Sequence, residues 1–200
     1  MEKRNDRVAP HPILSAYYPD EVRRRQRVDD MFDSSARHYD WITDAMSFGS
    51  GQWYRRRSLL RSGLASGMKI LDVGAGTGIV SLLAQDIIGV DGLVVAIDPS
   101  NGMLSEAKNR GVKRAVQGLG EKLPFQDNEF HIVTMGYALR HVADLRVLFS
   151  EYARVLKPDG KILLLEITCP KNKLGLAALK LYMKNIIPTV TRIVRHSRDA

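Results

Sequence analysis

ILDVGAGTGIVSLLA, residues 70–84, carries an apolar strand to Val73, sets glycines at 74, 76 and 78, and passes at once into an apolar helix. A strand-to-helix turn this tight needs positive φ angles and close approach of the backbone to a ligand, and glycine permits both at least steric cost. The helix that follows offers its first amides and the positive end of its dipole, a setting that draws a carboxylate.

The alternation continues towards the C-terminus. Short apolar strands are predicted at 69–73, 93–98, 113–117, 131–135 and 161–167. Amphipathic helices at 79–88, 102–109 and 144–156 lie between them, the last stopped by LKPDG with Pro158 and Gly160. Such a pattern predicts an α/β fold, a Rossmann-like sheet of parallel strands with helices on both faces. Upstream, Pro10, Pro12 and Pro19 predict an irregular arm over residues 1–20. A helical cap follows over 21–63, where apolar positions are spaced among charges and SFGSG at 47–51 interrupts them. Residues 64–200 form the α/β part, and 200 residues that are 44% hydrophobic suit a single domain.

A formal net charge of +8 favours an anionic partner. The basic residues gather in RRRQR at 23–27, in RRR at 55–57 and across 171–198, without the interleaved aromatics of a base-stacking platform, which argues against nucleic acid. The single cysteine, Cys169, excludes an intramolecular disulfide and a thiolate metal cluster, and the first residues carry no apolar leader. No apolar run approaches the roughly 18 residues of a bilayer span. A cytoplasmic protein is expected, with attachment to a membrane surface left open.

The glycines at 74, 76 and 78 read G-x-G-x-G, whereas a dinucleotide-binding turn reads G-x-G-x-x-G, so the spacing disfavours NAD. Asp98 ends the next strand about 20 residues further on, where a carboxylate accepts hydrogen bonds from both ribose hydroxyls. Its alternative role is a helix cap before Pro99 and Ser100. Turn and acid together predict a cradle for S-adenosylmethionine, with the methionine carboxylate at the helix amides and Asp72 holding the amino group or a water.

Four stretches, ILDVGAGTG, AIDPSNGML, EKLPFQDNEFHIVTMGYALRHVADL and RVLKPDGKILLLEI, resemble the successive motifs of the ubiquinone and menaquinone biosynthesis C-methyltransferases (UbiE type), which are class I S-adenosylmethionine-dependent methyltransferases. The similarity runs from about residue 31 to residue 170, and its more selective parts are ALRHV and MFDSSARHYDWITDAMSFGSGQWYRR. The resemblance implies S-adenosylmethionine as methyl donor, S-adenosylhomocysteine as product, no metal, and a polyprenyl quinol of the demethylmenaquinol or benzoquinol type methylated at carbon. Methylation of another acceptor, such as a phospholipid amine, and donor binding without turnover are the alternatives. The donor is expected on Asp72, Gly74, Ala75, Gly76, Thr77 and Gly78, on Asp98, Pro99 and Met103, and on Gly120 and Glu121.

This chain departs from the family pattern at four places. Thr43 precedes Ser47 and Gly49 where the family reads NxxxSxG, and His141 stands where it reads LRNV. Leu119 occupies the position of an acidic or amide residue that contacts adenine, which leaves adenine to backbone and apolar contacts. His131 replaces an aspartate at the fourth strand and is read as structural. The family sheet has seven strands, and this chain reaches Ala200 after a helix at 174–187, so its last two strands are expected to be missing. The fifth strand would then present an apolar edge that invites pairing with a second copy.

Methyl transfer from a sulfonium is a direct displacement in which the protein mainly aligns the nucleophile, and no metal is required. A quinol attacks through ring carbon more readily once a phenolic hydroxyl has lost its proton, a step that a positioned base assists. His141, just beyond the fourth strand, is the first candidate base, since an unperturbed imidazole titrates near about 6.5. Arg140 is read as stabilising the phenolate and Tyr137 as stacking on the ring or bonding to it. His38, Tyr39 and Asp40 in the cap are secondary candidates for closing over the substrate. KNKLGLAALKLYMKNIIPTVTRIVRH, residues 171–196, alternates basic and apolar side chains. It suits either an anionic membrane surface or packing against the sheet or cap, with packing slightly favoured.

Overall fold

A computed structural model describes residues 8–10, 23, 50–166 and 170–186. Most of the expected arm and cap lies outside these residues, including His38, Tyr39, Asp40, Thr43, Ser47 and Gly49, as do Cys169 and the chain after residue 186. Five parallel strands form one sheet in the order β3-β2-β1-β4-β5, with β1 Lys69–Val73, β2 Leu93–Asp98, β3 Ala115–Gln117, β4 Phe130–Gly136 and β5 Leu156–Leu165. The helices are α1 Ser50–Arg61, α2 Ile79–Ile88, α3 Asn101–Asn109, α4 Leu145–Val155 and α5 Lys173–Leu181, the last running into a π-helical turn at Tyr182–Ile186.

Alternation along the strands sends side chains to two cores. Leu71, Val73, Val95, Ile97, Val133 and Met135 pack against Leu148, Tyr152 and Val155 of α4. On the opposite face, Ile70, Val94, Ile132 and Leu165 meet Leu59 of α1 and Val80, Ala84 and Ile88 of α2. Each large side chain so buried contributes about 1.5–3 kcal/mol. The chain steps outward from β1 to β3 and then returns to lay β4 on the other side of β1. That reversal opens a crevice at the C-terminal ends of β1 and β4, where sheets of this kind bind ligands.

Four sequence expectations are corrected. LKPDG does not separate helix from strand. Leu156 already pairs with Phe130, residues 157–160 leave the register with Asp159 at φ +65°, and Lys161 re-enters opposite Ile132. The turn is thus a bulge within β5. The third strand starts two residues late, because the Lys113 amide bonds Gln85 Oε1 at 3.0 Å instead of joining the ladder. The α5 segment carries no buried residue, with Leu174 83% exposed, so the slightly favoured packing is not seen against the sheet among the described residues, while the cap and residues 187–196 lie outside them. The fourth concerns Asp98 and belongs to the site below. On its outer side β5 has no strand neighbour among the described residues, and Ile162 and Leu164 are exposed there. No helix among the described residues is long and apolar enough to cross a membrane.

His131 lies at the end of the sheet remote from the crevice. Its Nδ1 accepts the Lys69 amide at 2.9 Å, and Lys157 Nζ lies 3.0 Å from Nε2, the structural role expected of it.

Candidate active site

The three glycines of the turn all adopt positive φ, at +65°, +56° and +82°, but for different reasons. A Cβ at Gly74 would lie 2.7 Å from Ala138 Cβ, and one at Gly78 would lie 2.5 Å from Val112 Cγ2. These two glycines are needed for packing. A Cβ at Gly76 would meet nothing within 4 Å, so the middle glycine borders open space, as a ligand cradle requires. The turn is held by the end of β2: the Gly74 amide donates to the Ile97 carbonyl at 2.8 Å and the Gly76 amide to Asp98 Oδ2 at 2.8 Å. Gly78 caps α2 without a side chain, which leaves the helix start to other acceptors.

Asp98 is buried and its Oδ1 accepts the Ser100 amide at 2.9 Å. The cap of α3 is Ser100, whose Oγ accepts the amide of buried Met103 at 3.0 Å, and not Asp98 as the alternative reading of the sequence had it. Asp98 therefore braces the glycine turn against the α3 start. The Pro99 carbonyl accepts from Gln117 Nε2 at 2.9 Å, which closes the same corner.

Asp72 points to the other face of β1, fully buried beneath the turn. Ser81 Oγ donates to its Oδ2 at 2.6 Å, and the Ser81 amide also bonds the carboxylate. Burial pushes the Asp72 carboxyl up to about 7; the Asp98 charge pushes the same way, while the Ser81 bonds and Arg55 oppose them. An acid held so close to neutrality by its surroundings is a mark of a functional site.

The three candidate catalytic residues share the loop after β4. Tyr137 has φ +59°, an uncommon conformation for a bulky residue, and is held by its amide bond to the Leu165 carbonyl at 2.7 Å. A 3-10 turn, Leu139–His141, follows; Glu166 Oε1 accepts the Leu139 amide at 3.0 Å and the His141 amide bonds the Ala138 carbonyl at 2.9 Å. Arg140 is exposed and His141 half-buried. Ala138, packed on Gly74, ties this loop to the cradle.

Glu121 Oε1 accepts the Ala143 amide at 2.9 Å and so fastens the E-x-L-P-F segment to the His141 loop. A Cβ at Gly120 would strike Leu148 Cδ1 at 2.6 Å and Val73 Cγ1 at 2.9 Å, so only glycine lets this segment close over the end of β1. Arg154 pins the rest of it, donating to the Leu123 and Phe125 carbonyls and to Glu151 and Asp127. Thr77 is buried and Ala75 half-buried in the turn.

The structure thus gathers Asp72, the 74–78 turn and Asp98 at the C-terminal ends of β1 and β2, and sets Tyr137, Arg140 and His141 in the loop after β4, which Ala138 joins to the turn at Gly74. Sequence reasoning passed over Ser81, Glu166 and Arg55. Arg55 was grouped with a basic cluster, yet Gly51, Arg55 and Leu59 are the buried residues of α1, spaced four apart along one helix face. That spacing is the signal that separates Arg55 from its exposed neighbours.

Fold and cradle together define a class I S-adenosylmethionine-dependent methyltransferase. The sequence model of the ubiE/COQ5 methyltransferase family matches residues 20–200, and the chain belongs to that family. It is 35% identical over 190 residues to the ubiquinone/menaquinone biosynthesis C-methyltransferase UbiE of Idiomarina loihiensis, covering 90% of this chain and 76% of that one. It is 36% identical over 173 residues to a demethylmenaquinone methyltransferase of Corynebacterium glutamicum, covering 86% and 74%. Among solved structures, an S-adenosylmethionine-dependent methyltransferase from Methanococcus maripaludis shares the fold with a TM-score of 0.61 at 21% identity, over 82% of this chain and 76% of that one. The residues present fit S-adenosylmethionine: an open cradle at Gly76, a braced carboxylate at Asp98 and a buried acid at Asp72.

Proposed function

We propose that this chain methylates a ring carbon of a polyprenyl quinol, of the demethylmenaquinol or benzoquinol type. The observation that carries the reading is the contact of Ala138 with Gly74, which sets the Tyr137–Arg140–His141 loop beside the donor cradle. The names borne by relatives in Idiomarina loihiensis and Corynebacterium glutamicum support the same acceptor class. When bound, S-adenosylmethionine supplies an electrophilic methyl group on sulfur. Residues 74–78 and Asp98 hold the donor, His141 takes the phenolic proton at an imidazole nitrogen, Arg140 holds the phenolate oxygen, and Tyr137 supports the ring. The test is transfer of labelled methyl to a demethylated menaquinol. His141→Ala is expected to lower kcat by about 10² to 10⁴ while leaving S-adenosylhomocysteine affinity unchanged. Unchanged turnover removes His141 as the base. Label appearing in a phospholipid amine instead, or donor binding with no transfer, replaces the quinol reading.

We further propose that α5 rests on an anionic membrane surface, where a polyprenyl substrate resides. Leu174 and Leu181 are exposed among Lys171, Lys173, Lys180 and Lys184. Apolar side chains enter the interface while lysines meet acidic headgroups at about 1 kcal/mol each. Leu174→Glu together with Leu181→Glu is expected to abolish co-sedimentation with phosphatidylglycerol-containing vesicles. Equal sedimentation of variant and parent counts against the proposal.

A further inference from the structure

We propose that Arg55 binds the carboxylate at the methionine end of the methyl donor, as a cationic partner to the glycine turn and a determinant of which adenosyl ligands the site accepts. The inference rests on the reading that this chain binds S-adenosylmethionine, and adds to it a residue from outside the nucleotide-binding motifs.

Three arginines follow one another at 55, 56 and 57, and the helix treats them differently. Arg56 and Arg57 are exposed, Arg57 lying over the Trp53 ring at the surface. Arg55 shares the inward face with Gly51 and Leu59 and is only 6% exposed. Its guanidinium lies 5.2 Å from the centroid of the Tyr137 ring. Among the described residues its Nη1 is buried with no hydrogen-bond partner. A guanidinium cannot escape this by losing its proton, and a buried charge with unfilled donors is costly unless an acceptor arrives.

The place of Arg55 limits what that acceptor is. Tyr137 leads into Ala138, which packs on Gly74, and the field of Arg55 reaches Asp72 beneath the turn. Asp72 already takes two bonds from Ser81 and leaves Nη1 unfilled. Of the donor's parts, the sulfonium and ammonium are cations and are repelled by arginine, and the ribose belongs with Asp98. The carboxylate is the one anion, and a guanidinium matches its two oxygens. The buried guanidinium lies over the Tyr137 ring, so little side-chain freedom remains to be lost on binding.

Calorimetry on the full chain with three ligands tests this: S-adenosylhomocysteine, 5′-methylthioadenosine, which lacks the amino-acid end, and S-adenosyl-3-thiopropylamine, the decarboxylated form of S-adenosylhomocysteine, which lacks only the carboxylate. Arg55→Gln is expected to weaken S-adenosylhomocysteine about 10- to 100-fold, the worth of a charge-assisted hydrogen bond, to leave 5′-methylthioadenosine unchanged, and to leave the decarboxylated ligand no weaker than in the parent. Arg55→Lys is expected to restore part of the loss. The ligand-free melting temperature of Arg55→Gln is expected to be no lower than the parent's, because no hydrogen bond of Nη1 is lost. An equal loss for all three ligands, or a fall in ligand-free melting temperature with no ligand selectivity, makes Arg55 structural and overturns the proposal. Unchanged binding of all three with a raised KM for the acceptor assigns Arg55 to the acceptor's anion and also overturns it. Binding of none of them by the folded parent chain removes the donor reading itself, a result distinct from the others.

Discussion

Gly76→Ala is expected to leave the chain folded and cripple donor binding, while Gly78→Ala, two residues on, does the reverse. Both positions have positive φ, so each alanine carries a backbone cost of about 1–2 kcal/mol. They differ in what the new methyl meets. At 78 it runs into Val112 Cγ2 at 2.5 Å and Ala107 Cβ at 3.1 Å, where α2 and α3 close on each other. Overpacking of this kind adds about 1–3 kcal/mol, so the total approaches about 2–5 kcal/mol, a large part of a domain's stability. At 76 the methyl meets no protein atom within 4 Å and occupies the cradle beside the amide that Asp98 holds. A misfit of about the same 1–3 kcal/mol now falls on the ligand, and affinity for S-adenosylhomocysteine drops by about 10- to 100-fold. Urea unfolding and calorimetry on the two variants separate the effects. If Gly76→Ala binds as tightly as the parent, the open space above the turn is not the donor's.

The contrast shows how far the sequence could be read. Three glycines at alternate positions announced a turn with positive φ and a donor-binding fold, because those demands are local and glycine alone meets them. Nothing local told Gly76 from Gly78, since the difference lies in Val112 and Ala107, brought in by other elements. Asp98 was legible as an acid at the end of a strand, but its bonds to the Gly76 and Ser100 amides depend on where the turn and α3 fall. Proline and glycine in LKPDG read as the stop of a helix and a turn before the next strand; the irregularity they make falls within β5 instead, because Leu156 already pairs with Phe130 where the helix ends. Arg55 was hidden by its composition. A run of arginines reads as a solvated face, and only the packing of α1 on the sheet turns one of them inward.

Asp72→Asn is expected to stabilise the folded chain at pH 8 and to weaken donor binding there, with both differences shrinking as the pH falls to 5. The Asp72 carboxyl is buried and shifted from 3.8 to about 7, chiefly by desolvation, so the folded chain holds its proton over a range where the unfolded chain has released it. Stability from this group is therefore greatest below about pH 4, declines as pH rises towards 7 and is flat beyond. At pH 8 the ionised carboxylate costs up to about 4 kcal/mol, since each unit of displacement corresponds to about 1.36 kcal/mol. Asparagine has the same shape, can still accept the Ser81 hydroxyl and carries no charge at any pH, so it removes that cost. The remaining charges titrate alike in both chains and cancel in the difference. Donor binding runs against this trend. The ammonium and sulfonium of S-adenosylmethionine favour an ionised neighbour, and the parent's affinity should rise through about pH 7 while that of Asp72→Asn stays low and flat. Urea unfolding at pH 5 and pH 8, with calorimetry across the same range, reads both quantities. A stability difference that does not change with pH would show that Asp72 is ionised throughout and that Arg55 and Ser81 outweigh its burial.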